Sequence, residues 1–138
     1  MFRRLFLLAF LALAPLSAGA ADALAPPEAA TLATKRAALL VDVRSPAEWA
    51  ETGIPAGART VSWGRPDFVQ RMLELVAGDR NAPLVLICRA GNRSARAMAA
   101  LRDSGFTQVR HVPEGMAGGA AGPGWLARGL PVVAAPVN

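Results

Sequence analysis

Short apolar runs alternate with helical patterns along this chain, and the alternation predicts an α/β domain built on a small parallel sheet. Three observations carry it. Leu84–Ile87 is an unbroken branched apolar run behind Pro83, the composition of a strand buried on both faces. Residues 66–77 set Phe68, Val69, Met72, Leu73 and Val76 at helical spacing, with Gly78 behind them. Residues 94–104 form a second helical pattern, closed by Gly105. A chain of 138 residues is the right size for one such domain.

The elements follow in order. Residues 1–20 read as a secretory signal peptide: Met1-Phe2-Arg3-Arg4 gives a positive start, Leu5 to Ala14 an apolar core, and Ala18-Gly19-Ala20 a small-residue cleavage pattern. A membrane helix needs about 20 apolar residues, and Pro15 comes too early for one. No cysteine follows the expected cut, so a lipid anchor is not expected either. The expected product is residues 21–138, a single domain exported across the inner membrane to the periplasm, with no stable membrane anchor after cleavage.

Residues 21–25 read as a loose leader, and Pro26-Pro27 open a helix running to Ala38. Residues 39–43 are a strand. Asp42 and Arg44 at its end are either a structural ion pair or support for a site, since buried charges need partners in both cases. Glu48 is expected to find an arginine. Residues 54–58 are a connection and residues 59–63 a short strand. The helix of residues 66–77 lays its apolar stripe on the core. In the helix of residues 94–104, Ala95, Met98, Ala99 and Arg102 share one line while Arg96 and Asp103 turn elsewhere. Residues 108–112 are a strand with alternating exposure. Parallel neighbours imply right-handed crossovers.

Composition narrows the function. Signal cleavage removes Arg3 and Arg4 and takes the net charge from +5 to +3. Fourteen of the fifteen basic residues are arginine, spread without a dense cluster, which argues against a nucleic-acid surface. One cysteine and one histidine cannot make a structural zinc site within the chain. The glycines of residues 115–124 lack the Lys-Ser/Thr that completes a phosphate loop. No metal and no cofactor is expected. A single cysteine also excludes an internal disulfide, and an exposed thiol without a role is a liability in an oxidising compartment.

That cysteine is the most informative residue. Cys88 directly follows the apolar run and directly precedes a helical pattern, so it sits in a strand, tight loop, helix layout. Ligands of open α/β sheets bind outside the carboxyl ends of the strands, and a helix amino terminus presents unpaired N–H groups to an anion. Arg89 and Arg93 add full charge. Gly91 can take a positive φ and let successive N–H groups converge. The same field favours the thiolate, the reactive form of the side chain. The competing reading is a small buried hydrophobe, the commonest fate of a lone cysteine.

Taken together, Cys88, Arg89, Ala90, Gly91, Asn92, Arg93 and Ser94 resemble the active-site loop of the rhodanese superfamily. Leu40-Val41-Asp42-Val43-Arg44-Ser45-Pro46-Ala47-Glu48-Trp49 is similar to the amino-terminal signature of that family. Gly129-Leu130-Pro131-Val132, preceded by Trp125, is similar to its carboxyl-terminal signature. The similarity spans residues 27–133 in the family's order. It implies a parallel sheet of about five strands flanked by helices on both faces. It also implies a sulfurtransferase that carries sulfur as a Cys88 persulfide, taken from a small anionic donor such as thiosulfate or a persulfide and passed to cyanide or a thiol, with a periplasmic protein as a further possible partner.

The amides of Arg89, Ala90, Gly91, Asn92, Arg93 and Ser94 would hold the terminal sulfur, as preorganised dipoles hold an oxyanion. Asp42 and Arg44 would support the site. Arg89 or Arg93 would steer the donor, with Arg93 the better placed to brace the loop, and Ser94 would cap the helix for about 1 kcal/mol, with no part in the chemistry. Four residues separate Cys88 from Arg93. In the family this six-residue loop marks sulfurtransferases, whereas related cell-cycle phosphatases and arsenate reductases use a seven-residue loop with room for a tetrahedral oxyanion.

Two departures stand out. Many relatives carry a histidine between the glycine and the isoleucine of the segment here written Gly53-Ile54, and this chain does not, which leaves His111 as its sole imidazole, with no Cys-His dyad to claim. Residues 115–124 form a longer glycine-rich segment than usual, either the rim of a site or a flexible spacer. The leading alternative function is a non-catalytic sulfur-delivery module using the same Cys88. A phosphatase or arsenate reductase is disfavoured by the loop length. A redox sensor wants a resolving cysteine that the chain lacks.

Overall fold

The structure is a computed structural model and describes residues 22–137. The signal peptide expected over residues 1–20 lies outside the described residues. In chain order the elements are α1 (Pro26–Thr34), β1 (Leu39–Asp42), α2 (Pro46–Thr52), β2 (Ile54–Pro55), β3 (Arg59–Thr60), α3 (Phe68–Leu75), β4 (Leu84–Ile87), α4 (Asn92–Asp103), β5 (Val109–His111), α5 (Gly124–Ala127) and β6 (Val132–Val133). No helix of the described residues is long and apolar enough to cross a membrane.

The main sheet has the order β3-β1-β4-β5, and every pairing in it is parallel. Leu39 pairs with Leu84 and Asp42 with Ile87, while Leu84 pairs with Val109 and Leu86 with His111. This is a four-stranded sheet, against the five or so that the family resemblance implies. A further pairing lies on its outer edge, where Ala23 bridges His111 in parallel and the Leu24 amide donates to the His111 carbonyl at 2.9 Å. Of the leader expected over residues 21–25, the described part, residues 22–25, is therefore not loose, because Leu24 is buried and its backbone completes the edge. The connection expected over residues 54–58 likewise contains β2, which pairs antiparallel with β6 near the carboxyl end.

Strand alternation splits the core into two layers. Val41, Val43, Leu84, Leu86 and Cys88 face α3 and α4, packing with Phe68, Met72, Ala97 and Leu101. Leu40, Val85 and Ile87 face the other way, onto Leu24, Ala29, Val112, Met116 and Trp125. Both faces of β4 are thus covered by helices, which is why its four residues are all apolar and all buried.

Element ends differ from the sequence expectation for local reasons. The first helix stops at Thr34 rather than Ala38, because Arg36 takes a left-handed φ of 54° to turn the chain into β1. The third helix is trimmed at both ends, and Ala77 and Gly78, with φ of 52° and 79°, unwind it. The buried line of α4 is Ser94, Ala97 and Leu101, with Met98 beside it, not Ala95, Met98, Ala99 and Arg102. Alanines occur all round this helix, so its apolar stripe is ambiguous until Leu101 is seen to set it.

Candidate active site

Cys88 follows β4 at the carboxyl end of the sheet, and the chain then curls through Arg89, Ala90 and Gly91 into α4. Gly91 is the residue that makes the curl. It stands at the helix N-cap with φ 99°, and a Cβ there would run into the Pro113 carbonyl oxygen. In this conformation the Gly91 amide points back at Cys88 Sγ at 3.1 Å, and the Ser94 amide reaches the same sulfur at 3.3 Å. Two orphan donors of a helix amino terminus thus converge on one atom. The amides of Arg89, Ala90, Asn92 and Arg93 donate to no acceptor among the described residues. Ala90 and Asn92 enter the loop only through their backbones, their side chains being exposed.

Cys88 is only 1% exposed and shares the apolar cluster of Val43 and Ala97. Burial here does not make it an inert filler, because main-chain donors aim at its sulfur. It sets the sulfur at the floor of the loop, where fixed dipoles act in a low dielectric.

The charged residues divide by role. Arg93 donates from Nη1 and Nη2 to the two carboxylate oxygens of Glu48, at 2.6 and 2.9 Å, and so braces the loop. Glu48 is itself fixed by a capping box with Ser45 at the start of α2. The Arg93 guanidinium lowers the Glu48 pKa to about 2 from its ordinary 4.5. Asp42 and Arg44 form a fully buried ion pair, Nη2 to Oδ2 at 2.7 Å, and Arg44 also donates to Thr52 Oγ1 and the Gly53 carbonyl. Arg44 borders the site as well. Together with Glu48, Thr52, Arg89, Met116 and Ala117 it lines a hollow of about 260 Å³ beside the loop. A hollow of about 790 Å³ lies between Trp49, Ser62, Arg65 and Arg71, but it includes no residue of the cysteine loop. Arg89 is exposed and makes no ion pair among the described residues, which leaves its charge free at the mouth.

Two features escaped sequence reasoning. Ser94 is not the helix cap. It lies within the first turn of α4, completely buried, with Oγ 3.5 Å from Cys88 Sγ, 3.1 Å from the Gly91 carbonyl and 2.9 Å from His111 Nδ1. His111 thus reaches the cysteine indirectly, through a register between β4 and β5 that no local pattern reveals. The glycine-rich segment is rim rather than free spacer. Met116 and Ala117 donate to the Cys88 and Arg89 carbonyls at 2.8 and 2.9 Å, so its first residues clamp the loop from behind. Gly115 lies so close to Arg89 that a Cβ would strike the Arg89 carbonyl. Buried Glu114 accepts from the Gly124 amide at 3.0 Å and pairs with Arg128 at 2.8 Å, closing the segment on itself. A Glu and an Arg fourteen residues apart across glycines carry no periodic signal.

Comparison with known proteins gives a consistent family. The model of the rhodanese-like domain matches residues 25–121. A thiosulfate sulfurtransferase, GlpE, from Pseudomonas syringae pv. syringae is 34% identical over 90 residues, covering 65% of this chain and 79% of that protein. Among solved structures, the polysulfide-sulfur transferase homodimer of Wolinella succinogenes superposes with a TM-score of 0.64 at 28% identity, covering 83% of this chain and 80% of that one. Rv0390 from M. tuberculosis superposes with a TM-score of 0.63 at 31% identity, covering 78% and 93%.

Proposed function

Because the chain belongs to the rhodanese-like domain family, we propose that it is a sulfurtransferase that carries sulfur on Cys88. The Cys88 thiolate attacks the outer sulfur of thiosulfate or of a persulfide. A new S–S bond forms at Sγ, the donor's S–S bond breaks, and its electron pair leaves with the remainder, sulfite in the case of thiosulfate. Cyanide or a thiol then attacks the outer sulfur and restores the thiolate. Such two-step transfer gives ping-pong kinetics.

The observation that carries this reading is the convergence of the Gly91 and Ser94 amides on Sγ, with four neighbouring amides free to receive the added sulfur. The hollow of about 260 Å³ beside Arg89 supports it, being below the size range of drug-sized ligands and suited to a small anion. The sulfurtransferase names of its relatives agree. Export to the periplasm is part of the proposal and rests on the pattern of residues 1–20.

Incubation with thiosulfate should raise the intact mass by one sulfur atom, and thiocyanate should then form catalytically on adding cyanide. Cys88→Ala should abolish both. Turnover retained in that variant overturns the mechanism. Stoichiometric loading that stalls until a protein acceptor is added identifies a delivery module instead.

A further inference from the structure

Ser94 Oγ stands between the two groups of this site that can trade a proton. It is 3.5 Å from Cys88 Sγ and 2.9 Å from His111 Nδ1. Its other neighbour, the Gly91 carbonyl at 3.1 Å, also accepts from the Ala95 amide at 3.1 Å. That carbonyl therefore keeps a donor when Ser94 turns its single hydroxyl proton from it to His111 Nδ1, the orientation that completes the chain from sulfur to imidazole. This matters because Ser94 is fully buried, where an orphaned polar group is costly.

We infer that His111 is the residue that receives the thiol proton of Cys88, relayed through Ser94. Sγ passes its proton to Oγ as Oγ passes its own to Nδ1. The products are a thiolate and an imidazolium, with no electrons exchanged. The reverse transfer reprotonates the sulfur once the acceptor has taken the outer atom. His111 touches neither the sulfur nor the substrate, so it is a positioning residue acting through Ser94.

The surroundings keep the resting ring free of a proton. Burial holds the His111 pKa below its ordinary 6.5, with Arg102 acting the same way and Asp22 opposing. The ring is therefore neutral at rest, with a lone pair to offer, and Asp22 is the charge that favours the imidazolium once it forms. Asp22 and Arg102 are the charges that face it, and they pair with each other at 2.6 Å. The Asp22 segment joins β5 at the same residue, through the backbone of His111, and so helps hold the ring.

The need for a thiolate rests on the sulfurtransferase reading, but the relay can be tested without any sulfur donor. Alkylation of Cys88 by iodoacetamide, followed by intact mass, should be measured from about pH 5 to about pH 9 in the wild-type chain, His111→Gln, Ser94→Ala and the double variant. Each single variant should shift the profile towards alkaline pH, slowing alkylation about tenfold near neutrality. The double variant should be no slower than the slower single, because both interrupt one chain. A His111→Gln profile that overlays the wild type, or effects that multiply in the double variant, overturns the relay. Circular dichroism checks each fold, and His111→Asn replaces the Gln variant if that one fails to fold. A chain that shows this coupling yet accepts no sulfur from thiosulfate keeps the relay and loses the sulfurtransferase reading. Normal sulfur loading with an unshifted profile does the opposite.

Discussion

Arg93 grips both carboxylate oxygens of Glu48, at 2.6 and 2.9 Å, and so ties the first turn of α4 to the first turn of α2. The two residues are 45 positions apart in the chain, so the brace fixes the cysteine loop to a distant element rather than to its own neighbours. Arg93→Ala should lower stability by about 1 kcal/mol, the upper end for a pair that keeps some solvent contact. Urea unfolding measures it. Arg93→Lys keeps the charge but not the fork, and should recover less than half of the loss. Sulfur loading should slow in both variants, because the Ser94 amide follows Arg93 directly.

Acid should dissolve this brace in a defined window. The Glu48 pKa is lowered from 4.5 to about 2 by the Arg93 guanidinium, so the pair's contribution is fully present above about pH 4.5 and is lost as pH falls through the folded value. Glu114 is shifted in the same direction by Arg128. The stability difference between wild type and Arg93→Ala should therefore be constant at neutral pH and shrink between pH 4.5 and about 2. A difference that stays level through this window would mean that the pair contributes nothing pH-dependent.

The features legible in the sequence are those written in local pattern. The buried run at β4, the apolar stripe of α3 and the layout of strand, cysteine and helix all come from spacing within a dozen residues, and each stands where expected. Asp42 and Arg44 do form an ion pair, and Glu48 pairs with an arginine, Arg93. The Ser94 to His111 contact was not legible. It depends on Leu86 pairing with His111 across two strands, and strand register between βα units leaves no trace in either segment alone. The role of the glycine-rich segment was illegible for a related reason. Its position is set by carbonyls of the cysteine loop and by a Glu114–Arg128 pair, none of which lies within it.

The buried pair of Asp42 and Arg44 should respond asymmetrically to mutation. Arg44 is 2% exposed and Asp42 is fully buried, so Asp42→Ala leaves a cation in the interior without its main partner. The expected cost is about 3–5 kcal/mol. Replacing both residues, as in Asp42→Ala with Arg44→Met, should recover a large part of this, because the desolvation of both charges disappears as well. Denaturant unfolding of the two variants decides it. Losses that simply add would show that the two charges do not act as a pair.

Arg89 carries the prediction closest to the chemistry. Arg93 is committed to Glu48 and Arg44 to Asp42, whereas Arg89 is exposed on the wall of the hollow beside the loop. A free guanidinium at a mouth raises the local concentration of an anion without entering the bond-making step. Arg89→Ala should therefore raise KM for thiosulfate by about tenfold and leave kcat nearly unchanged, the pattern of lost ground-state binding. The effect should fade at high ionic strength, since the charge is exposed and screened by salt within about 10 Å at 0.1 M. Steady-state kinetics at low and high salt separates the outcomes. A fall in kcat with KM unchanged would instead place Arg89 against the transition state, and the steering role would pass to the loop amides alone.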